Sequence, residues 1–356
     1  MKKRRYGYWV LVFLILVLIL FATGCKDQIS APEKISKDIF VMDTMINITA
    51  YSQDLEKGRE AVEQAAQEFQ RINDLAGRFP GNLSDPQKSD VWRINEMAGK
   101  APVKVSDDTM IMVERALYFA ELSGGAFDIT IGPVTDLWGI GGAKNHVPTE
   151  DELNQVLPLI DYGKIVINKD EKTIFLPDHG MSMDLGGIAK GYATDLAVEK
   201  LRAGGIESAL VNAGGNVFAL GSKPDGSPWK IGLQDPRNST GVTAIISVTD
   251  SAVISSGDYE RYFEEQGIRY HHIIDPASGK PARGVMGTTV VTKNSMDGDI
   301  LSTLVFVLGP EKGLALQKTE QLVEMVFITD EKEIIFSDGL DGFIEITNQT
   351  DYVVRQ

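Results

Sequence analysis

Asp299, Ser302 and Thr303 bring one carboxylate and two hydroxyls into a five-residue stretch, within the run Asp297-Gly-Asp299-Ile-Leu-Ser302-Thr303. If the chain is helical from Ile300 onward, Asp299 and Thr303 stand at i and i+4 on one face. Oxygen donors presented together suit a hard cation such as Mg²⁺ or Ca²⁺. A helix capped by Asp299, with Thr303 a buried hydroxyl, accounts for the same residues. Zinc is disfavoured, because the chain has one cysteine and four histidines not spaced as ligands.

Three other segments carry residue types suited to chemistry. Asp184-Leu-Gly-Gly187-Ile-Ala-Lys190-Gly-Tyr192 places paired glycines and a lysine at the start of a helical pattern. Glycine lets backbone approach a ligand, and a helix N-terminus attracts anions. A glycine-rich turn into a core helix reads equally well. Tyr270-His271-His272-Ile273-Ile-Asp275-Pro276 pairs two histidines, whose rings can exchange protons near neutral pH. Neighbours on a strand face opposite sides, so at most one of the two points into any given site, and a structural turn with one packed and one exposed histidine reads as well. Ser123-Gly-Gly-Ala126-Phe127-Asp128-Ile-Thr could pass backbone close to a planar ligand, or be a helix C-cap followed by a strand.

The elements that must position these residues follow from periodicity. Helical spacing covers residues 55–75, 107–122, 188–203 and 300–308, the last stopped by Gly309-Pro310. Residues 39–51, 209–212, 229–233, 242–248, 288–291, 323–328, 333–336 and 343–346 read as strands, and 164–167 with 173–176 as a hairpin. Helices and strands mix without regular βαβ alternation, so the fold class is α+β.

The N-terminus differs from the rest. Lys2 to Arg5 is basic and residues 9–22 are almost wholly apolar, the pattern of an export signal. Cys25, the only cysteine, follows Ala22-Thr23-Gly24, as at a bacterial lipoprotein processing site. The expected organisation is a signal peptide over 1–24, a lipidated Cys25 with a polar tether over 25–38, and one domain over 39–356. A lipid anchor would place that domain at the cell membrane, on its extracytoplasmic face. The net charge of −15 offers no basic face for nucleic acid.

Taken in order, these segments resemble the ApbE family of FAD:protein FMN transferases. The resemblance includes Met42-Asp-Thr44, residues 89–95, Gly-Ala-Phe-Asp-Ile-Thr at 125–130 and Asp-Leu-Gly-Gly-Ile-Ala-Lys-Gly at 184–191. It continues through Val-Asn-Ala-Gly-Gly-Asn at 211–216, Ser-Ser-Gly-Asp-Tyr-Glu-Arg at 255–261, His-Ile-Ile-Asp-Pro at 272–276 and Asp-Ile-Leu-Ser-Thr at 299–303. Asp43 departs from the Gly that many members carry there. The resemblance implies a mixed α/β catalytic domain with antiparallel sheets and flanking helices. It implies Mg²⁺ held by Gly187, Asp299, Ser302 and Thr303. FAD, the substrate, would lie against Met42, Phe79, Ala126, Phe127, Asp128, Asp184, Lys190 and Ile273. FMN would pass to a threonine or serine hydroxyl of a membrane or extracytoplasmic redox protein, releasing AMP. His272 is the expected proton acceptor. A Mg²⁺-dependent FAD pyrophosphatase, or a flavin-binding lipoprotein without catalysis, are the alternatives.

Overall fold

Along residues 33–41, Ile35, Ile39 and Val41 point inward while Lys34, Ser36, Asp38 and Phe40 face solvent. That two-residue period makes a strand, β1 (Glu33–Val41), in the computed structural model, which describes residues 31–82, 85–142, 144–318 and 323–355. Residues 33–38, expected in the tether, therefore belong to the sheet; their polar face had obscured the alternation. Cys25 and the export signal lie outside the described residues.

β1 turns at Met42-Asp43 into β2 (Thr44–Ser52), with Val41 opposite Thr44. Both turn residues have φ of 56°. A two-residue hairpin wants this left-handed pair, usually as Asn-Gly, so Met42 is held in a costly conformation. The sheet continues with β3 (Ser208–Ala213), β4 (Asn216–Leu220), β5 (Ser251–Gly257), β6 (Val285–Thr292), β7 (Glu324–Thr329), β8 (Glu333–Phe336) and β9 (Val353–Arg355). These nine strands lie side by side in chain order. All neighbours are antiparallel except β8 and β9.

Among the described residues the α-helices are α1 (Leu55–Ala76), α2 (Asp90–Glu96), α3 (Asp107–Leu122), α4 (Gly132–Trp138), α5 (Glu150–Val156), α6 (Ala189–Ala203) and α7 (Ser295–Gln317). On one face of the sheet, Ile46, Ile48 and Val211 pack with Phe69 and Ile72 of α1, Leu201 of α6 and Leu304 of α7. On the other, Val217, Ala219 and Val253 pack against Trp229, Ile231 and Ile246 of a three-stranded sheet formed by Trp229–Asp235, Asn238–Val248 and Ile344–Ile346. Coverage on both faces makes β4 buried throughout. The fold is thus mixed α/β with antiparallel sheets and flanking helices.

α7 corrects the expected helix at its start and breaks where expected at its far end. Asn294 caps it by accepting from Asp297 N, so Asp299 sits inside the helix and is not its cap. At the far end Gly309 breaks the helix (φ 76°, ψ 175°), and the chain resumes helical turns after Pro310. Among the described residues no helix is long and apolar enough to cross a membrane.

Candidate active site

The site is built where α6 meets α7. An added Cβ on Gly191 would lie 2.2 Å from the Ser295 carbonyl oxygen and 2.8 Å from Asp299 Cβ, so only glycine permits this crossing. The contact brings the α6 N-terminus onto Asp299, a carboxylate only 4% exposed. Gly191 N donates to Asp299 Oδ2 at 2.9 Å. Lys190 Nζ stands 3.7 Å from Asp299 Oδ1 and donates to the Gly186 carbonyl at 3.2 Å. The start of α7 is pinned independently: Ser295 N and Met296 N donate to Asp195, and Arg115 pairs with both oxygens of Asp297. Burial pushes the Asp195 carboxyl up to about 6 against those amide hydrogen bonds.

Gly187 joins this group. A Cβ there would be 2.9 Å from the Phe127 ring and 3.8 Å from Thr303 Oγ1. Thr303 Oγ1 donates weakly to the Asp299 carbonyl at 3.4 Å. Ser302 does not join it. Its buried hydroxyl lies 2.8 Å from Ser256 Oγ on β5 and donates to the Asp299 carbonyl at 3.0 Å. At i+3 it faces the sheet, while Thr303 at i+4 stays beside Gly187.

Among the described residues no three His, Cys, Asp or Glu side chains gather as a metal cluster. A single buried carboxylate, one hydroxyl and a nearby carbonyl form a hard-oxygen set. That set fits Mg²⁺, which keeps several positions for water and substrate phosphates and takes few protein carboxylates. Among the described residues, Asp299 Oδ1 has Lys190 Nζ at 3.7 Å as its ion-pair partner, which leaves room for a closer ligand.

Other expected residues are more engaged with the protein. Asp128 accepts from Thr130 N, Thr130 Oγ1 and Tyr162 N, so its carboxylate shapes the loop, and burial raises its pKa. Asp184 accepts from Gly186 N at 2.7 Å and from Arg78 Nη1 at 2.9 Å. Phe79 is 53% exposed, with the Arg78 guanidinium 4.9 Å from its ring centre. Ala126 is half-buried before the buried Phe127. Ile273 is buried against Phe306, Val285 and Ala282, and its carbonyl accepts from Ala282 N.

Lys190 also lines a cleft of about 490 Å³, whose walls include Met42, Gly214, Gly215, Glu260 and Arg261. Glycine is needed at Gly214, where φ is +59° and a Cβ would meet Thr44 Oγ1 at 2.3 Å. Glu260 opens onto this cleft with protein packed around it. That surrounding pushes its carboxyl up to about 7; Lys190 and Arg261 pull it down and Asp299 adds to the rise. The segment carrying Glu260 is held by Asp258, which takes a two-pronged ion pair from Arg237 at 2.7 Å on each oxygen.

The two histidines separate. His271 is 1% exposed, with Nε2 2.9 Å from the Ala282 carbonyl and its ring edge-on to Phe306. His272 lies beside Arg261: its backbone N donates to the Arg261 carbonyl at 3.1 Å, and its Nδ1 is 3.3 Å from the same oxygen. A ring nitrogen facing a carbonyl must carry the proton, so Nε2 keeps the free lone pair. Burial, then Arg261, His271 and Lys190, hold the His272 pKa well below the usual histidine range. The ring is neutral at pH 7.

Arg78 and Glu260 were not among the expected site residues. Glu260 was legible as part of the 255–261 motif, but its placement opposite Lys190 was not. Arg78 sits after a helix C-terminus, with no local signal that it reaches residues more than 50 positions away.

A sequence model of the ApbE family matches residues 42–327. Proteins named FAD:protein FMN transferase are similar along most of the chain. One from Treponema pallidum is 40% identical over 244 residues, 64% of this chain and 67% of that protein. One from Klebsiella pneumoniae is 36% identical over 278 residues, 78% of this chain and 79% of that protein. Among solved structures, the ApbE protein of Thermotoga maritima superposes with a TM-score of 0.80 at 32% identity, covering 87% of this chain and 99% of that one. A flavin transferase ApbE from Vibrio cholerae gives 0.75 at 30% identity, covering 88% and 99%.

Proposed function

The chain belongs to the ApbE family, and from that premise we propose that it transfers FMN from FAD to a threonine or serine hydroxyl of a partner protein, releasing AMP. The observation that carries the reading is the convergence of Asp299, Thr303, Gly187 and Lys190 at the α6–α7 crossing. These are the residue types that hold a pyrophosphate and its counter-cation.

Lys190, in the first turn of α6, attracts the pyrophosphate. Asp299, the Thr303 hydroxyl and the Gly187 carbonyl would hold Mg²⁺. Bound there, Mg²⁺ supplies neutralisation of the phosphate oxygens. Ser302 is left out of this set, because its hydroxyl is spent on β5. His272 Nε2 takes the proton of the acceptor hydroxyl as that oxygen bonds to the FMN-side phosphorus. The bond from this phosphorus to the bridging oxygen breaks, and AMP leaves with that oxygen. The exposed Phe79 ring is available to stack on an aromatic portion of FAD.

Incubating the protein with FAD, Mg²⁺ and a candidate acceptor should add the mass of one FMN less one water to the acceptor and release one equivalent of AMP. Free FMN and AMP with an unmodified acceptor would identify a pyrophosphatase. No turnover with FAD still bound would leave a carrier.

The same reading extends to location. Cys25 is the proposed first residue of the mature chain, carrying lipid that anchors the domain to the outer face of the cell membrane. Cys25→Ser should release the protein from membranes or leave it unprocessed. An intact N-terminus with unmodified Cys25 in the wild-type protein would sink this assignment.

A further inference from the structure

Arg78 follows α1 and buries its guanidinium, leaving 8% of the side chain exposed. A buried charge needs close pairing, and Arg78 has it at both terminal nitrogens while its Nε is buried without a partner among the described residues. Its Nη1 donates to Thr135 Oγ1 at 3.0 Å and to Asp184 Oδ2 at 2.9 Å. Its Nη2 reaches Asp136 Oδ2 at 2.8 Å, Ser182 Oγ at 3.2 Å and the Gly132 carbonyl at 3.3 Å. One side chain thus ties the end of α1 to α4 and to the strand-like segment 182–184.

These bonds lead toward the chemistry. The carboxylate that Arg78 holds by Oδ2 accepts from Gly186 N by Oδ1 at 2.7 Å, which bends the chain at the paired glycines. The Gly186 carbonyl then takes Lys190 Nζ at 3.2 Å, and the same ammonium stands 3.7 Å from Asp299 Oδ1. The next residue, Gly187, is pressed against Phe127 beside Thr303. An unbroken polar chain therefore runs from Arg78 through Asp184, Gly186 and Lys190 to Asp299.

We propose that Arg78 is a positioning residue for the cation and pyrophosphate pocket: by fixing Asp184 it sets the Gly186-Gly187 turn, and so the Gly187 carbonyl and Lys190. This rests on the transferase reading for what the pocket holds, but the coupling is a property of the chain itself. The planar fork matters, because it meets five acceptors from two nitrogens, whereas a lysine offers three donors on one atom. The carboxylate of Asp184 acts here as a structural relay, since both its oxygens are engaged within the protein.

The test is Mn²⁺ binding to the full chain, followed by electron paramagnetic resonance with FAD present and no acceptor. Arg78→Met should weaken Mn²⁺ binding by about 10–100-fold, the usual range when a residue orienting metal ligands is lost. The Mg²⁺ concentration for half-maximal FMN transfer should rise in parallel. Arg78→Lys should restore only part of the affinity. Should Arg78→Met not fold, Asp184→Asn provides the second measurement. It keeps an oxygen for Gly186 N but loses the charge that holds Arg78, and the same weakening is expected. Mn²⁺ affinity within twofold of wild type in a folded Arg78→Met or Asp184→Asn protein would overturn the proposal. A wild-type protein that binds Mn²⁺ but transfers no FMN would overturn the transferase reading, while the Mn²⁺ titration of the variants still decides the role of Arg78.

Discussion

Asp299→Ala is expected to lower FMN transfer by about a thousandfold or more while the protein stays folded. Among the described residues Asp299 is the carboxylate placed where Gly187, Lys190 and Thr303 meet, so alanine removes the negative charge that this point offers a cation. Metal stabilisation of charge on transferring phosphoryl oxygens amounts to several kcal/mol, and each ~1.4 kcal/mol is a factor of ten in rate. The fold has a counterweight: the start of α7 is held by Asn294, Asp195 and Arg115 without Asp299. The structural loss is chiefly the Gly191 N–H bond, about 1–3 kcal/mol for a buried donor left unmet. Asp299→Asn separates the two effects, since it keeps an acceptor for Gly191 N and loses the charge. AMP release with saturating Mg²⁺ and the melting temperature should be measured together. Either variant turning over FAD at the wild-type rate would remove Asp299 from the cation site.

The second large difference lies between adjacent histidines. His272→Ala should slow transfer by about 100-fold, at the low end for general acid–base catalysis because phosphoryl transfer through a loose transition state needs limited help from a base. FAD binding should change little. His271→Ala should leave the chemistry nearly intact and instead destabilise the fold by about 2–3 kcal/mol. It opens a hole beside Phe306 and frees the Ala282 carbonyl.

The pH dependences should differ as well. His272 is neutral far below its ordinary pKa, so transfer attributable to it should stay flat from pH 8 to pH 6 and fall only in more acid solution. For His271, burial pushes the pKa down to about 4. The unfolded chain binds a proton near pH 6.5 and the folded one does not, so stability is full above that pH. It is lost progressively as pH falls from about 6.5 toward 4, by roughly 3 kcal/mol in all. Melting curves of wild type and His271→Gln across this window should show a shallower fall in the variant. Equal transfer rates for His272→Ala and His271→Ala would leave positioning and the cation to carry the reaction.

Much of this molecule was readable from its order of residues. The heptad-like apolar spacing from Val62 to Ile72 requires a helix with one buried stripe, and α1 is that helix. The glycines at 186, 187 and 191 were compatible with a close backbone approach and the carboxylate at 299 with a hard cation, but an ordinary turn and a helix cap explained the same residues. Chemistry of this kind is written locally, because it depends on residue type and on helix or strand period.

What tertiary structure alone decided depends on distances across the chain. Ser302 and Thr303 are equally good donors by type; only the packing of α7 on β5 turns Ser302 toward Ser256 and leaves Thr303 beside Gly187. Strand β5 was missed because α7 packs on one of its faces and the three-stranded sheet on the other, which replaces alternation with a short apolar run, Ala252 to Ile254, that periodicity cannot assign. Arg78 reaches Asp184 across 106 positions, and Gly191 N reaches Asp299 across 108. No local pattern encodes such pairs. They form only once hydrophobic burial has brought α1, α6 and α7 onto one sheet, and the low dielectric of that packed interior is what makes each of them strong enough to hold the site.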